Sequence, residues 1–562
     1  MYEEAGEVFD IFRGVFPISF LLFVPAVLII VSPDPVEAAH EFSVYRMQQF
    51  DLQGTSYGCR NAIVNMEARS LGASMLTRRC VVTRLADLTV DKFKDLVDQS
   101  AGAVLVLLPD DLSNVPRENL EEFIELEHDL MDQDVNTPVY FAVEDNTLTK
   151  IYAAIQDGSN TDKAATATEA LLHAASANGF QMVTTATQAT PIKDAQITSI
   201  QGKLSGLGIE EHLPTVAIVA HYDTFGIAPH LSYGADSNGS GMVALLELAR
   251  LFSKLYDNPK THPKFNLLFL LSGGGKFNYQ GTKRWIEDNL DHTDGSLLSE
   301  VSFVLCLDSV GSGDGLYLHV SKPPKEGSAL HSFLEELKTV LDAQFPVVNF
   351  TMVHKKINLA EDLLAWEHER FSIRRLPAAT LSHFPTHRAL ERQSITDQKF
   401  QVDPGVLTRN IRGLAEALAR HIYNLTAKGH DGSMEIFQDG LNLHPKSIEA
   451  WLNSVTAQPR AAQLIGKDHT LLSTMEQAMN GYLKDVRRLT FKPDKRDPEF
   501  VFYSAMQTTM NAYNVKPAVF DLFLAVGIAV YLGLVYVAII NFHFLYNFVT
   551  SINTIKVKVK HQ

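Results

Sequence analysis

Apolar residues fall along the chain in short continuous runs, separated by stretches with apolar positions three and four apart. Ala103-Val104-Leu105-Val106-Leu107-Leu108 and Val139-Tyr140-Phe141-Ala142-Val143 are bounded by Pro and Asp, as buried strands are, and Glu118 to Met131 between them has helical spacing. This predicts a small α/β lobe over 40–165, with the polar stretch Ser159 to Thr166 as a linker. From 166 to 425 the alternation becomes regular. Strands are expected at Val216–Ala220, Leu267–Leu271 and Val301–Leu307. Helices are expected at Ser240–Leu255, Tyr279–Leu290, Ala329–Leu341 and Val406–Tyr423. Continuous apolar strands between amphipathic helices predict a mostly parallel sheet covered on both faces. The fold class is therefore α/β. Over 426–517 the strand pattern fades, and Trp451–Thr456 and Leu471–Leu483 read as helices of a membrane-proximal stalk.

Two longer apolar runs lie near the ends. Val15 to Val31 carries no charge and is followed by Val36-Glu37-Ala38-Ala39, which suggests a signal peptide over 1–38. Its acidic leading segment is atypical, and an uncleaved signal anchor is the other reading. Leu522 to Phe542 is uncharged and long enough to span a bilayer as one transmembrane helix. Lys556, Lys558 and Lys560 follow it without an acid, which places 543–562 in the cytosol and the rest in a lumen. Lys558 and Lys560, fifth and third from the end, resemble a dilysine retrieval signal of the endoplasmic reticulum. Asn238, Asn349 and Asn424 begin glycosylation sequons. The expected localisation is thus the endoplasmic-reticulum membrane, single-pass type I, with a lumenal ectodomain.

The 562 residues are enough for several cores, and 46% apolar content excludes a disordered chain. A formal charge of −16 argues against nucleic-acid contact by the ectodomain. Three cysteines exclude a disulfide scaffold; Cys59 and Cys80 could pair in an oxidising lumen, and Cys306 reads as a buried thiol.

The candidate chemistry sits just past the predicted strand ends, where parallel sheets place their sites. His221-Tyr222-Asp223 offers one metal ligand and a carboxylate to orient it. Asp236 precedes a helix and is placed to bridge two cations, with capping of that helix by Asp236 and Asn238 as its other use. Asp308 follows a strand, and His383 ends Pro377-Ala378-Ala379-Thr380-Leu381-Ser382-His383. In this order the set resembles the di-zinc aminopeptidase family related to glutamate carboxypeptidase and the transferrin receptor. Trp366-Glu367-His368-Glu369-Arg370-Phe371, followed by Leu376-Pro377-Ala378, resembles that family's late Asp-His-x-x-Phe stretch.

The resemblance implies ancestral ligand positions His221, Asp236, Asp308 and His383. It also implies a Glu-Glu pair, base then ligand, where this chain has Gly275 and Lys276. Glycine accepts no proton and lysine brings a fixed positive charge. An ammonium about 4 Å from a divalent ion is repelled by roughly 8 kcal/mol at an effective dielectric near 20. The expectation is a pocket without metal or cofactor, in which Lys276 pairs with Asp236 or Asp308. An unconventional single-metal aminopeptidase is the alternative.

Across almost the whole chain, His40-Glu41-Phe42, Arg46-Met47-Gln48-Gln49, Ser272 to Trp285, Asn289 to Asp294, Trp366 to Phe371, Asp497 to Tyr503 and Val515 to Asp521 resemble a nicastrin-related family of endoplasmic-reticulum membrane proteins. That resemblance implies a non-catalytic subunit. Its partners would be nodal modulator (NOMO) and transmembrane protein 147, in an assembly beside the Sec translocon and ribosome that supports insertion of multi-pass membrane proteins and is linked to Nodal signalling.

Overall fold

The computed structural model describes residues 39–160, 179–290, 298–494, 496, 498–515, 518–541 and 543–544. The proposed signal peptide, most of the linker and cytosolic tail, and Lys558 and Lys560 lie outside these residues.

The N-terminal lobe is a closed barrel. Its strands run in the order Ala39–Arg46, Gln507–Val515, Gly179–Thr184, Asn65–Ser70, Cys80–Arg84, Ala103–Leu108 and Val139–Val143. The two expected apolar runs are its adjacent parallel strands, and every residue of Ala103–Leu108 is buried. The helix Arg117–Met131 covers one side through Leu120, Phe123, Leu126 and Leu130. Sequence order misled at the boundary, because Gln507–Val515 returns from the far end of the chain to pair with Ala39–Arg46.

The second lobe is built on an eight-stranded sheet. Its order is Asn349–His354, Gly315–Val320, Ala378–Ser382, Val301–Leu307, Thr215–His221, Asn266–Ser272, Ile197–Leu204 and Lys484–Phe491. The central strands are parallel, as the continuous apolar runs predicted. The sheet as a whole is mixed, because Gly315–Val320, Ile197–Leu204 and Lys484–Phe491 bring antiparallel pairings. Helix Gly241–Asp257 is buried along nearly its whole length and packs on one face with Ala329–Gln344 and Pro404–Tyr423. Trp285, Ile286 and Phe371 fill the other face.

The expected helical stalk over 426–517 is corrected. Helices Pro445–Val455 and Thr470–Tyr482 pack into the main core, Lys484–Phe491 extends the large sheet, and Gln507–Val515 closes the barrel. The segment is thus woven through both lobes. Lys484–Phe491 mixes exposed and half-buried residues at the edge of its sheet, and Gln507–Val515 buries only Met510 and Ala512, so no continuous apolar run announced them. The possible Cys59–Cys80 bridge is corrected too: both thiols are buried and free. Burial pushes the Cys80 thiol up to about 12.

The second long apolar run forms the helix Ala518–Ile540. Its described side chains run unbroken only over 524–537, and among the described residues no helix is long and apolar enough to cross a membrane.

Candidate functional site

The parallel register lines up the ends of Thr215–His221, Asn266–Ser272 and Val301–Leu307, so His221, the glycine loop and Asp308 meet at one edge of the sheet. His383 joins them from the end of Ala378–Ser382, with its backbone N–H on the Ser309 carbonyl at 2.8 Å. The loop Ala235–Ser240 brings Asp236. The structure thus brings the four candidate ligand positions to one centre.

What holds them differs from expectation. Asp308 pairs with Arg392, whose guanidinium lies 4.3 Å from the centroid of the fully buried Trp366 ring. His319 stacks on Trp366 at 4.2 Å. Burial works to raise the Asp308 carboxyl, but Arg392, then His221 and Lys276, outweigh it and hold the group well below the carboxylate range. The other Asp308 oxygen accepts from the Ser309 hydroxyl at 2.8 Å.

Asp236 is equally engaged. One oxygen takes His383 Nε2 at 2.6 Å, and the other accepts from the Gly311 amide at 2.9 Å and the Ser240 hydroxyl at 2.7 Å. Burial lowers the His383 imidazole, yet Asp236 beside it lifts it above its usual value on balance. Asp236 and Asn238 therefore do not cap the following helix. Asn238 instead staples two strand ends, donating to the His221 and Leu307 carbonyls at 3.0 and 2.8 Å and accepting from the Ser309 amide.

Asn238 is fully buried, so it cannot carry a glycan, and that sequon is corrected. Asn349 and Asn424 are exposed.

Lys276 pairs with neither aspartate. Its ammonium donates to the Ser237 hydroxyl at 2.9 Å and the Arg392 carbonyl at 3.1 Å. Burial and then Arg392 bring it down to about 8. Asp223 was expected to orient His221. It instead accepts the Gly275 and Lys276 amides at 2.7 and 2.9 Å and so fixes the glycine loop. The histidine is oriented by Glu367 through Nδ1 at 3.3 Å, and Glu367 itself accepts from Ser272 and Thr282. His221 Nε2 is buried and has no hydrogen-bond partner among the described residues.

Gly275 has a packing reason. A Cβ there would stand 2.4 Å from three His221 carbons. The space that a glutamate base needs is filled by the histidine ring.

These residues do not fit a metal pair. Every oxygen of Asp236 and Asp308 is already bonded, two protein cations stand inside the cluster, and the base position is closed. Among the described residues no group of three His, Cys, Asp or Glu is arranged to hold an ion. Among these four residues, His221 Nε2 is a buried nitrogen left without a hydrogen-bond partner among the described residues.

Sequence reasoning missed the segment that rewires the site. Arg392 sits on the short 3-10 turn Leu390–Gln393, and Ser394 and Asp397 in the loop after it, between His383 and the helix Pro404–Tyr423. Asp397 accepts the Asp236 and Ser237 amides at 2.9 and 2.8 Å. Glu127, from the barrel lobe, accepts the Ser394 hydroxyl and, at 3.0 Å, the Ile395 amide. Arg460, fully buried, donates to the carbonyls of Tyr222, Tyr233 and Gly234. Buried charges spaced irregularly in loops carry no periodic signal; a lone Arg in a loop reads as surface.

Residues 202–404 match the model of peptidase family M28. The chain is 55% identical over 567 residues to the human BOS complex subunit NCLN, covering all of both chains. It is 32% identical over 551 residues to nicalin of Caenorhabditis elegans, covering 94% of this chain and 96% of that one. The crystal structure of the gamma-secretase component nicastrin superposes with a TM-score of 0.58 at 11% identity, over 84% of this chain and 99% of that chain, so the architecture is shared. With end-to-end identity above half to its vertebrate relative and an M28 peptidase-like lobe, the chain belongs to the family of nicalin, the BOS complex subunit NCLN.

Proposed function

We propose that this chain is a non-catalytic BOS complex subunit. In this reading it is a single-pass type I glycoprotein of the endoplasmic-reticulum membrane that acts with nodal modulator and transmembrane protein 147. Together they sit beside the Sec translocon, support insertion of multi-pass membrane proteins and bear on Nodal signalling. The observation that carries the non-catalytic part is Gly275: the base is missing, and His221 fills the space in which one would stand. Arg392 on Asp308 adds a second obstacle, because a guanidinium occupies the carboxylate a metal would need. The same two features oppose a single-metal aminopeptidase.

Full-length similarity to proteins named as BOS complex subunits supports assembly as the role. The helix Ala518–Ile540 supports membrane attachment, since Leu522, Ile528, Leu534 and Ile540 are exposed apolar side chains with no protein cover. The exposed Asn349 and Asn424 are suited to lumenal glycans. Lys558 and Lys560 supply retrieval to the endoplasmic reticulum.

The test is purification of the full chain from detergent-solubilised membranes after cross-linking. Recovery of both partners and translocon subunits in near-stoichiometric amounts is expected; their absence from cross-linked complexes removes the assembly reading. Chelator-sensitive cleavage of amino-acid amides above an Asp308→Ala control would remove the non-catalytic one.

A further inference from the structure

We infer that Arg392 is a protein-supplied counter-ion that has replaced metal at the former catalytic centre, and that the segment carrying it turns this centre into a lock between the two lobes. The inference rests on the geometry and not on the identity of any partner.

Three anchors define the lock. Arg392 reaches inward to Asp308 and lies against Trp366. Five residues on, Asp397 takes two amides of the loop that carries Asp236. Between them, Ser394 and Ile395 are held by Glu127 on the barrel-lobe helix Arg117–Met131. One short segment thus ties a buried carboxylate of one lobe to two ancestral ligand positions of the other. In a metallopeptidase the cation organises Asp236, Asp308 and the two histidines; here the organising charge arrives on the same piece of chain that contacts the other lobe. Asp308 is nearly inaccessible, and a carboxylate so buried requires a partner cation. His221 Nε2 remains the donor with nothing to bind. Removing the guanidinium therefore leaves the Asp308 carboxylate without its counter-ion, near an imidazole nitrogen without a partner, two donors that an added divalent cation can engage.

The experiment uses the full chain in detergent, with ZnCl2 or a chelator as the only additive. For the native chain, neither is expected to move the unfolding midpoint. Arg392→Met keeps an apolar contact for Trp366 and is expected to melt lower. Zn2+ should restore part of that loss at concentrations roughly 100-fold below any at which it affects the native chain. Adding Asp308→Asn should abolish the zinc response. Limited proteolysis should cut the 384–401 segment faster in Arg392→Met, and Zn2+ should slow the cut.

Stoichiometric zinc in the native chain overturns the inference, as does an Arg392→Met protein that melts like the native one or ignores Zn2+. If Arg392→Met yields no folded protein, Asp308→Asn alone carries the test. It strands the guanidinium and must lower the midpoint; an unchanged midpoint overturns the inference equally.

Discussion

Gly275→Ala isolates the packing of the glycine loop against His221 from every electrostatic change around it. The added methyl would stand 2.4 Å from the Cβ, Cγ and Cδ2 of His221, well inside contact distance. His221 has no room to yield, because it is fully buried, held by Glu367 and Asn238, and packed edge-on against Tyr279. The loop cannot swing away either, since Asp223 grips the amides of both Gly275 and Lys276. Overpacking of this kind costs about 1–3 kcal/mol. At about 2 kcal/mol, the midpoint of a domain this size falls by roughly 4–8 °C.

Gly72→Ala is the matched control: a Cβ there meets nothing within 4 Å, and the shift should stay within about 0.5 kcal/mol. In a His221→Gly background the Gly275→Ala step should cost little, because the clashing Cβ, Cγ and Cδ2 are all gone. The assay is thermal and urea unfolding of the native protein and the four variants. An unshifted Gly275→Ala midpoint refutes the reasoning, as does a penalty that persists without the histidine ring. The same logic says that restoring the family's Glu-Glu pair as Gly275→Glu with Lys276→Glu destabilises the chain and yields no chelator-sensitive amidase activity.

Arg460→Met should cost about 3 kcal/mol or more in urea unfolding, since it strands the buried carbonyls of Tyr222, Tyr233 and Gly234. Burial raises the Glu127 carboxyl from 4.5 to about 7, against the lowering effect of its Ser394 and Ile395 hydrogen bonds. The folded state therefore keeps a proton that the unfolded chain sheds. That contribution to stability is present below about pH 4.5 and is lost as pH rises to about 7. Glu127→Gln should flatten this part of the pH–stability curve, and an unchanged slope would show that Glu127 titrates normally. Asn349→Gln and Asn424→Gln should each remove a glycosidase-sensitive step in gel mobility, whereas Asn238→Gln should remove none.

How much of this was legible in the sequence follows from the kind of signal each feature leaves. Val216–Ala220, Leu267–Leu271 and Val301–Leu307 are buried on both faces, so they had to be continuous apolar runs, and they were read correctly. Residues at the ends of such strands inherit that certainty, which is why His221 and Asp308 could be placed at one centre, whereas His383 was placed only by the family resemblance. Lys484–Phe491 and Gln507–Val515 are strands of a different kind. They are edge or barrel strands with alternating exposure, and their partners lie hundreds of residues away, so the local pattern pointed to a stalk.

Gly275 and Lys276 were visible as departures from a motif, but the consequence assigned to Lys276 was wrong, for an instructive reason. Pairing it with the nearest aspartates assumed that no other cation was close. Arg392 lies 84 residues from Asp308 on a single short 3-10 turn, Leu390–Gln393, too brief for periodicity or motif spacing to constrain it. Once it is in place, it satisfies Asp308, repels Lys276 and offers its own carbonyl to the lysine ammonium. One arginine thereby sets where both charges go. Gly275 and Lys276 can be read from a motif; how the charges around them are arranged is written only in the packing of a distant segment against them.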